Sequence, residues 1–156
     1  MPPSATASTS PLVLVCGDDD LAVKQRARQL FQDWSKELGG MDHETIDATA
    51  ANSDDVMRIL GKLREALQTL PFFGGGKAVW LRDANFLGDD RTAESKSVTE
   101  ALGELADELK TFRWDNVRLL ISAGKVDKRK SFYKTCDKSG RVESFAGLSA
   151  DDRNWA

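Results

Sequence analysis

Leu12-Val13-Leu14-Val15-Cys16 is an unbroken apolar run ended by Gly17. Such a run predicts a strand buried on both faces, as in a parallel sheet. Val23, Ala27, Leu30, Phe31, Trp34 and Leu38 then recur at helical spacing, with Gly39-Gly40 as the stop. His43 to Asp47 reads as a short second strand. Ser53 opens a helix whose apolar face is Val56, Ile59, Leu60, Leu63, Leu67 and Leu70, with Arg58, Lys62, Arg64 and Glu65 largely opposite. Ala78 to Leu81 is a third strand, closed by the segment Arg82 to Asn85. Gly88 to Lys96 is a loop or the fraying start of a helix that runs to Lys110 with the stripe Val98, Leu102, Leu105, Leu109 and Phe112. Val117 to Ile121 is a fourth strand, Ser131 to Cys136 a short helix, and Val142 to Phe145 a fifth strand. Strands alternating with long helical patterns predict βαβ units, hence a parallel five-stranded sheet with helices on both faces.

One stretch interrupts this rhythm. In Gln68-Thr69-Leu70-Pro71-Phe72-Phe73-Gly74-Gly75-Gly76-Lys77 a helical pattern stops at a proline, two aromatics appear, and three glycines follow. Proline lacks the N–H that a continuing helix needs, so the aromatics sit at a turn. Burying a phenylalanine contributes about 1.5–3 kcal/mol. Burial alone therefore favours an inward plug, and an outward placement requires a partner's pocket.

Composition adds limits. With 156 residues, 40% hydrophobic and 30% charged, the chain is sized for one domain with a real core. Residues 1–11 form a Pro/Ser/Thr-rich tail expected to be disordered, without the basic and apolar regions of a signal peptide. No apolar run reaches membrane-spanning length, so a cytoplasmic location and no membrane contact are expected. Cys16 and Cys136 lack the spacing of a metal or redox motif and read as reduced, buried thiols; His43 is the single histidine, with no nucleophile motif around it. The net charge of −3 hides an asymmetry: residues 124–141 carry +5 and the rest −8. A local basic patch on an acidic body argues against the whole domain as a nonspecific DNA binder.

A sheet of this kind raises the expectation of a phosphate-binding loop after the first strand. That loop needs GxxxxGK[ST], whose backbone N–H groups, lysine and hydroxyl hold the phosphates and magnesium. Here the loop is Cys16-Gly17-Asp18-Asp19-Asp20, with three carboxylates and no Lys-Ser/Thr pair. The aspartates read as helix caps rather than as a magnesium site. Asp83 falls where a metal-holding carboxylate could follow strand three, but Ala84 comes next in place of a glutamate. No catalytic residue, cofactor or metal is assigned.

Gly17-Asp18-Asp19 after strand one, Leu70-Pro71-Phe72-Phe73-Gly74 before a strand ending Arg82-Asp83-Ala84, and the segment Ala123 to Lys130 with Tyr133-Lys134 together resemble the delta subunit of bacterial DNA polymerase III. The resemblance spans nearly all of residues 12–156. It implies an AAA+-like (P-loop NTPase-type) fold lacking a functional P-loop over residues 12–147, with 148–156 beginning a further domain. It also implies a clamp-loader subunit that binds and helps open the sliding clamp, the beta subunit, during DNA replication without hydrolysing ATP itself. By position, Leu70, Phe72 and Phe73 would be the clamp-binding residues, which turns the aromatics outward. Other implied partners are the gamma/tau and delta prime subunits and, through the complex, primer-template DNA. Lys125, Lys128, Arg129, Lys130 and Lys134 are candidates for DNA or subunit contact. Two alternatives remain: a nucleic-acid-binding module using residues 124–141, and a degenerate nucleotide-binding domain.

Overall fold

Residues 10–39, 41, 43–69 and 75–146 are described by a computed structural model. The chain runs β1 (Leu12–Cys16), α1 (Asp20–Leu38), β2 (Glu44–Asp47), α2 (Ser53–Gln68), β3 (Lys77–Arg82), α3 (Arg91–Glu94), α4 (Lys96–Thr111), β4 (Val117–Ser122), α5 (Ser131–Ser139) and β5 (Arg141–Ser144). All strands pair in parallel, in the order β2-β3-β4-β1-β5. Every strand therefore starts at one edge of the sheet and ends at the opposite one.

The alternation of side chains along a strand sorts the core into two layers. Leu12, Leu14 and Cys16 of β1, with Val79, Leu81, Leu119 and Ile121, pack beneath α2, α4 and α5. Val13, Val15, Ala78 and Leu120 point the other way, onto Val23, Ala27, Leu30 and Trp34 of α1. That two-sided burial is why β1 is apolar throughout: all five of its residues are buried. Phe31 packs its ring against Trp80, centroids 5.5 Å apart, at the margin of the α1 layer.

Element ends follow local chemistry. Asp19, of the three consecutive aspartates, caps α1 by accepting from the Ala22 N–H at 3.1 Å. Asn52, one residue before the expected Ser53, caps α2 by accepting from Asp55 N–H at 2.9 Å. The polar stretch 88–96 contains its own turn of helix, because Asp90 caps α3 and Ser95 then caps α4. β3 begins at Lys77, one residue earlier than the apolar pattern indicates, and α5 runs three residues past Cys136. Pro11 already joins the sheet, its carbonyl accepting from Leu119 N–H at 2.7 Å. No helix among the described residues is long and apolar enough to cross a membrane.

Candidate docking loop and basic rim

Leu70, Phe72 and Phe73 lie outside the described residues, but the two posts that carry their loop do not. On the upstream side, α2 buries Val56, Ile59, Leu60, Leu63, Ala66 and Leu67. It ends where Thr69 turns back on it, with both its N–H (3.1 Å) and Oγ1 (2.7 Å) donating to the Glu65 carbonyl. On the downstream side, three successive N–H groups are each held by a different neighbour. Gly76 donates to the Leu38 carbonyl at 2.9 Å, Lys77 to the Asn116 carbonyl at 2.7 Å, and Ala78 to His43 Nδ1 at 3.0 Å. A Cβ on Gly76 would stand 2.5 Å from Leu38 Cδ2 and 2.6 Å from the Asn116 oxygen, and Gly75 has φ 71°. The last two glycines are thus required by a turn and a close approach, and they make a tight return rather than a slack one.

Lys77 strengthens the downstream post. It is 1% exposed, and its ammonium pairs with Glu44 Oε1 at 2.8 Å, joining β3 to β2 where both begin. The imidazole of His43 must carry its proton on Nε2 to accept at Nδ1, and that buried Nε2 has no hydrogen-bond partner among the described residues. His43 therefore serves as a backbone acceptor.

At the opposite edge, where strands end, the loop after β1 does not form a phosphate cradle. Gly17 N–H donates to the Gly124 carbonyl at 2.9 Å and Asp19 N–H to the Phe145 carbonyl at 3.1 Å, so donors that would face an anion are already engaged. Gly17 has φ 133°, and a Cβ there would collide with the Phe145 carbonyl. The loop is closed down on the segment after β5. What remains is a cleft of about 380 Å³ lined by Cys16, Gly17, Asp18, Lys125, Lys128 and Ser144. Nearby, Ser122 Oγ accepts from both Trp80 Nε1 (2.9 Å) and Asp83 N–H (3.2 Å), fastening the tips of β3 and β4 together. Asp83 itself takes the left-handed conformation, φ 59°. Among the described residues no group of three or more His, Cys, Asp or Glu side chains is placed to hold a metal ion. Burial pushes the Cys16 thiol up and the Cys136 thiol to about 12, so neither is poised as a nucleophile.

The basic segment divides into four fates. Arg129 forks onto Asp127 of its own turn, Nε to Oδ1 at 3.0 Å and Nη2 to Oδ2 at 2.9 Å, and holds that carboxyl down at about 2. Lys130 donates to the Ala93 carbonyl at 3.0 Å and pairs with Glu94 at 2.7 Å, tying the start of α5 to α3. Lys125 and Lys128 line the strand-end cleft. Lys134 belongs elsewhere, in an open groove of about 570 Å³ between α4 and α5. Lys110 and Lys138 join it there, with Ser131, Thr135 and Ser139. Neither of these two lysines is singled out by the sequence. The spacing of four between Lys134 and Lys138 signals a shared helix face, whereas Lys110 arrives only through packing of α4 on α5.

A five-stranded parallel sheet with helices on both faces, and with the loop after β1 closed on the segment after β5, defines an AAA+-like domain without the nucleotide cradle. Residues 14–145 match the family described as DNA polymerase III, delta subunit, and the chain belongs to that family. Among solved structures, the clamp loader delta protein YqeN of Bacillus subtilis superposes with a TM-score of 0.63 at 14% identity, over 91% of this chain and 40% of that one. A DNA polymerase III gamma subunit-related protein of Thermotoga maritima aligns with a TM-score of 0.49 at 16% identity, over 96% of this chain and 45% of that one. The chain thus spans less than half the length of either structure. No curated protein matches it significantly in sequence.

Proposed function

We propose that this chain docks on a bacterial sliding clamp and favours its opening, as the delta-type component of a clamp loader. The family match across residues 14–145 carries the reading. It is supported by the geometry around the loop, which leaves α2 at Thr69 and returns at Gly76 between two hydrogen-bonded posts. Leu70, Phe72 and Phe73 are the anchors: rigid apolar side chains entering a pocket are common hot spots, and a loop held at both ends loses less entropy on docking. A ring in equilibrium between closed and open forms is shifted only by a ligand that binds the open form more tightly, so the anchors must engage the open clamp better. ATP hydrolysis is supplied by other loader subunits, which this chain joins, and primer-template DNA is met by the assembled loader.

The test is calorimetric titration of this chain with a bacterial sliding clamp, beside a Phe72→Ala/Phe73→Ala variant shown to be folded by circular dichroism. The double truncation is expected to cost at least about 2 kcal/mol of affinity. Unchanged affinity would remove the loop from the interface, and no binding by the parent chain would overturn the docking reading itself.

A further inference from the structure

The groove between α4 and α5 reaches the edge of the sheet at which Gly76 enters β3, although Lys134 lies far from Gly76 in sequence. Lys110 stands one residue before the end of α4, which hands the chain to the start of β4. Lys138 stands at the end of α5, where Gly140 packs directly on Leu12 at the start of β1. One end of the groove therefore opens at the strand-start edge, the edge at which Gly75 and Gly76 lead into β3. β1 and β3 are separated only by β4, so the lateral offset is two strand spacings, about 10 Å. An interface patch of about 800 Å² is roughly 30 Å across, wider than that offset.

The cations of the groove are available. Lys134 and Lys138 make no ion pair among the described residues, and Lys110 has only the exposed Asp107 at 3.3 Å. Lys125 and Lys128 line a cleft at the opposite edge. Nucleic acid is the weaker occupant for the groove. Affinity for it scales with the number of phosphates neutralised, and the groove supplies three ammonium groups on a chain of net charge −3 whose remainder outside 124–141 carries −8. Two or three contacts at the margin of a protein interface, by contrast, are enough to orient an encounter.

We propose that the Lys110, Lys134 and Lys138 groove is an electrostatic guide for the same protein partner that docks on the 70–75 loop, receiving carboxylates from an acidic strip beside that partner's pocket. The inference rests on the docking reading. Rim charges of this kind act on association rate more than on lifetime, and salt screens them.

The experiment measures association and dissociation rates of the chain with a bacterial sliding clamp at low and high sodium chloride. It compares Lys134→Glu/Lys138→Glu with the charge-matched Lys125→Glu/Lys128→Glu, both checked for intact thermal unfolding. The groove variant is expected to associate about tenfold more slowly at low salt, with the gap closing at high salt and dissociation little changed. Equal slowing by the strand-end variant would reduce the effect to net charge and overturn the guide, as would an unchanged association rate. A groove variant that loses affinity for a labelled oligonucleotide while keeping its clamp kinetics would assign the groove to nucleic acid instead. Failure of the parent chain to bind would overturn the docking reading; parent binding that depends on Phe72 and Phe73 but not on the groove would overturn this inference alone.

Discussion

Lys77 is buried at the first position of β3, and its ammonium meets the half-exposed carboxylate of Glu44 at 2.8 Å. A buried lysine with one charged partner is costly to leave alone, and the cost is asymmetric. Glu44→Ala strands the ammonium, whereas Lys77→Met removes the charge and keeps most of the volume. Glu44→Ala is expected to destabilise the chain by about 1–3 kcal/mol and Lys77→Met by less, read from urea unfolding midpoints. The reverse order would mean that the pair contributes through its geometry rather than by neutralising a buried charge.

Glycines divide by what surrounds them. At Gly76 a Cβ would press on Leu38 and the Asn116 carbonyl, so Gly76→Ala is expected to cost about 1–3 kcal/mol. Gly61 lies within α2 and Gly103 within α4, with nothing within 4 Å of a built Cβ at either. Alanine there should stabilise by about 0.5–1 kcal/mol per site, seen as a raised thermal midpoint.

The cap of α2 separates two neighbouring residues that look equivalent in sequence. Asn52→Ala removes the side-chain oxygen that accepts from Asp55 N–H and should cost about 1 kcal/mol, whereas Ser53→Ala should change stability by a few tenths at most. Thermal melts of the two variants give the comparison directly.

Acid should loosen the β5 edge first. Arg26 of α1 forks onto Glu143 at 2.6 and 3.0 Å and, with Arg141 also in contact, holds that carboxyl below its ordinary value of 4.5. A depressed folded-state pKa contributes stability above the ordinary value and loses it as pH falls through the lowered one. The unfolding free-energy difference between the parent and Glu143→Gln should therefore be flat above pH about 5 and shrink below pH about 4.5. Asp127, its side chain largely covered on its turn with Arg129, should titrate at about 2 when its carboxyl carbon is followed by NMR.

The sheet was legible because burial on two faces leaves no polar residue in β1, and because the stripe Val98, Leu102, Leu105 and Leu109 is buried as its spacing requires. Where the pattern misled, a charged residue had a partner far along the chain. Lys77 reads as loop because lysines seldom enter cores, and Glu44, which neutralises it, comes from another strand. The basic segment reads as one patch, yet Arg129 and Lys130 are drawn into Asp127, Glu94 and the Ala93 carbonyl, contacts that depend on how a turn closes and how α3 packs. Lys110 joins Lys134 only in three dimensions, since α4 and α5 are separated in sequence by β4 and its flanking turns.

The pinned return at Gly76 also has a mechanical side. β3 lies between β2 and β4, pairing with β2 from Val79 to Arg82 and with β4 from Lys77 to Leu81, so a pull on the loop along the strand axis loads two ladders together in shear. A strand at the sheet margin, pulled the same way, would load a single ladder. Any load on the segment entering at Gly76 is thus taken up by an interior strand, as a lever works best when its fulcrum does not give.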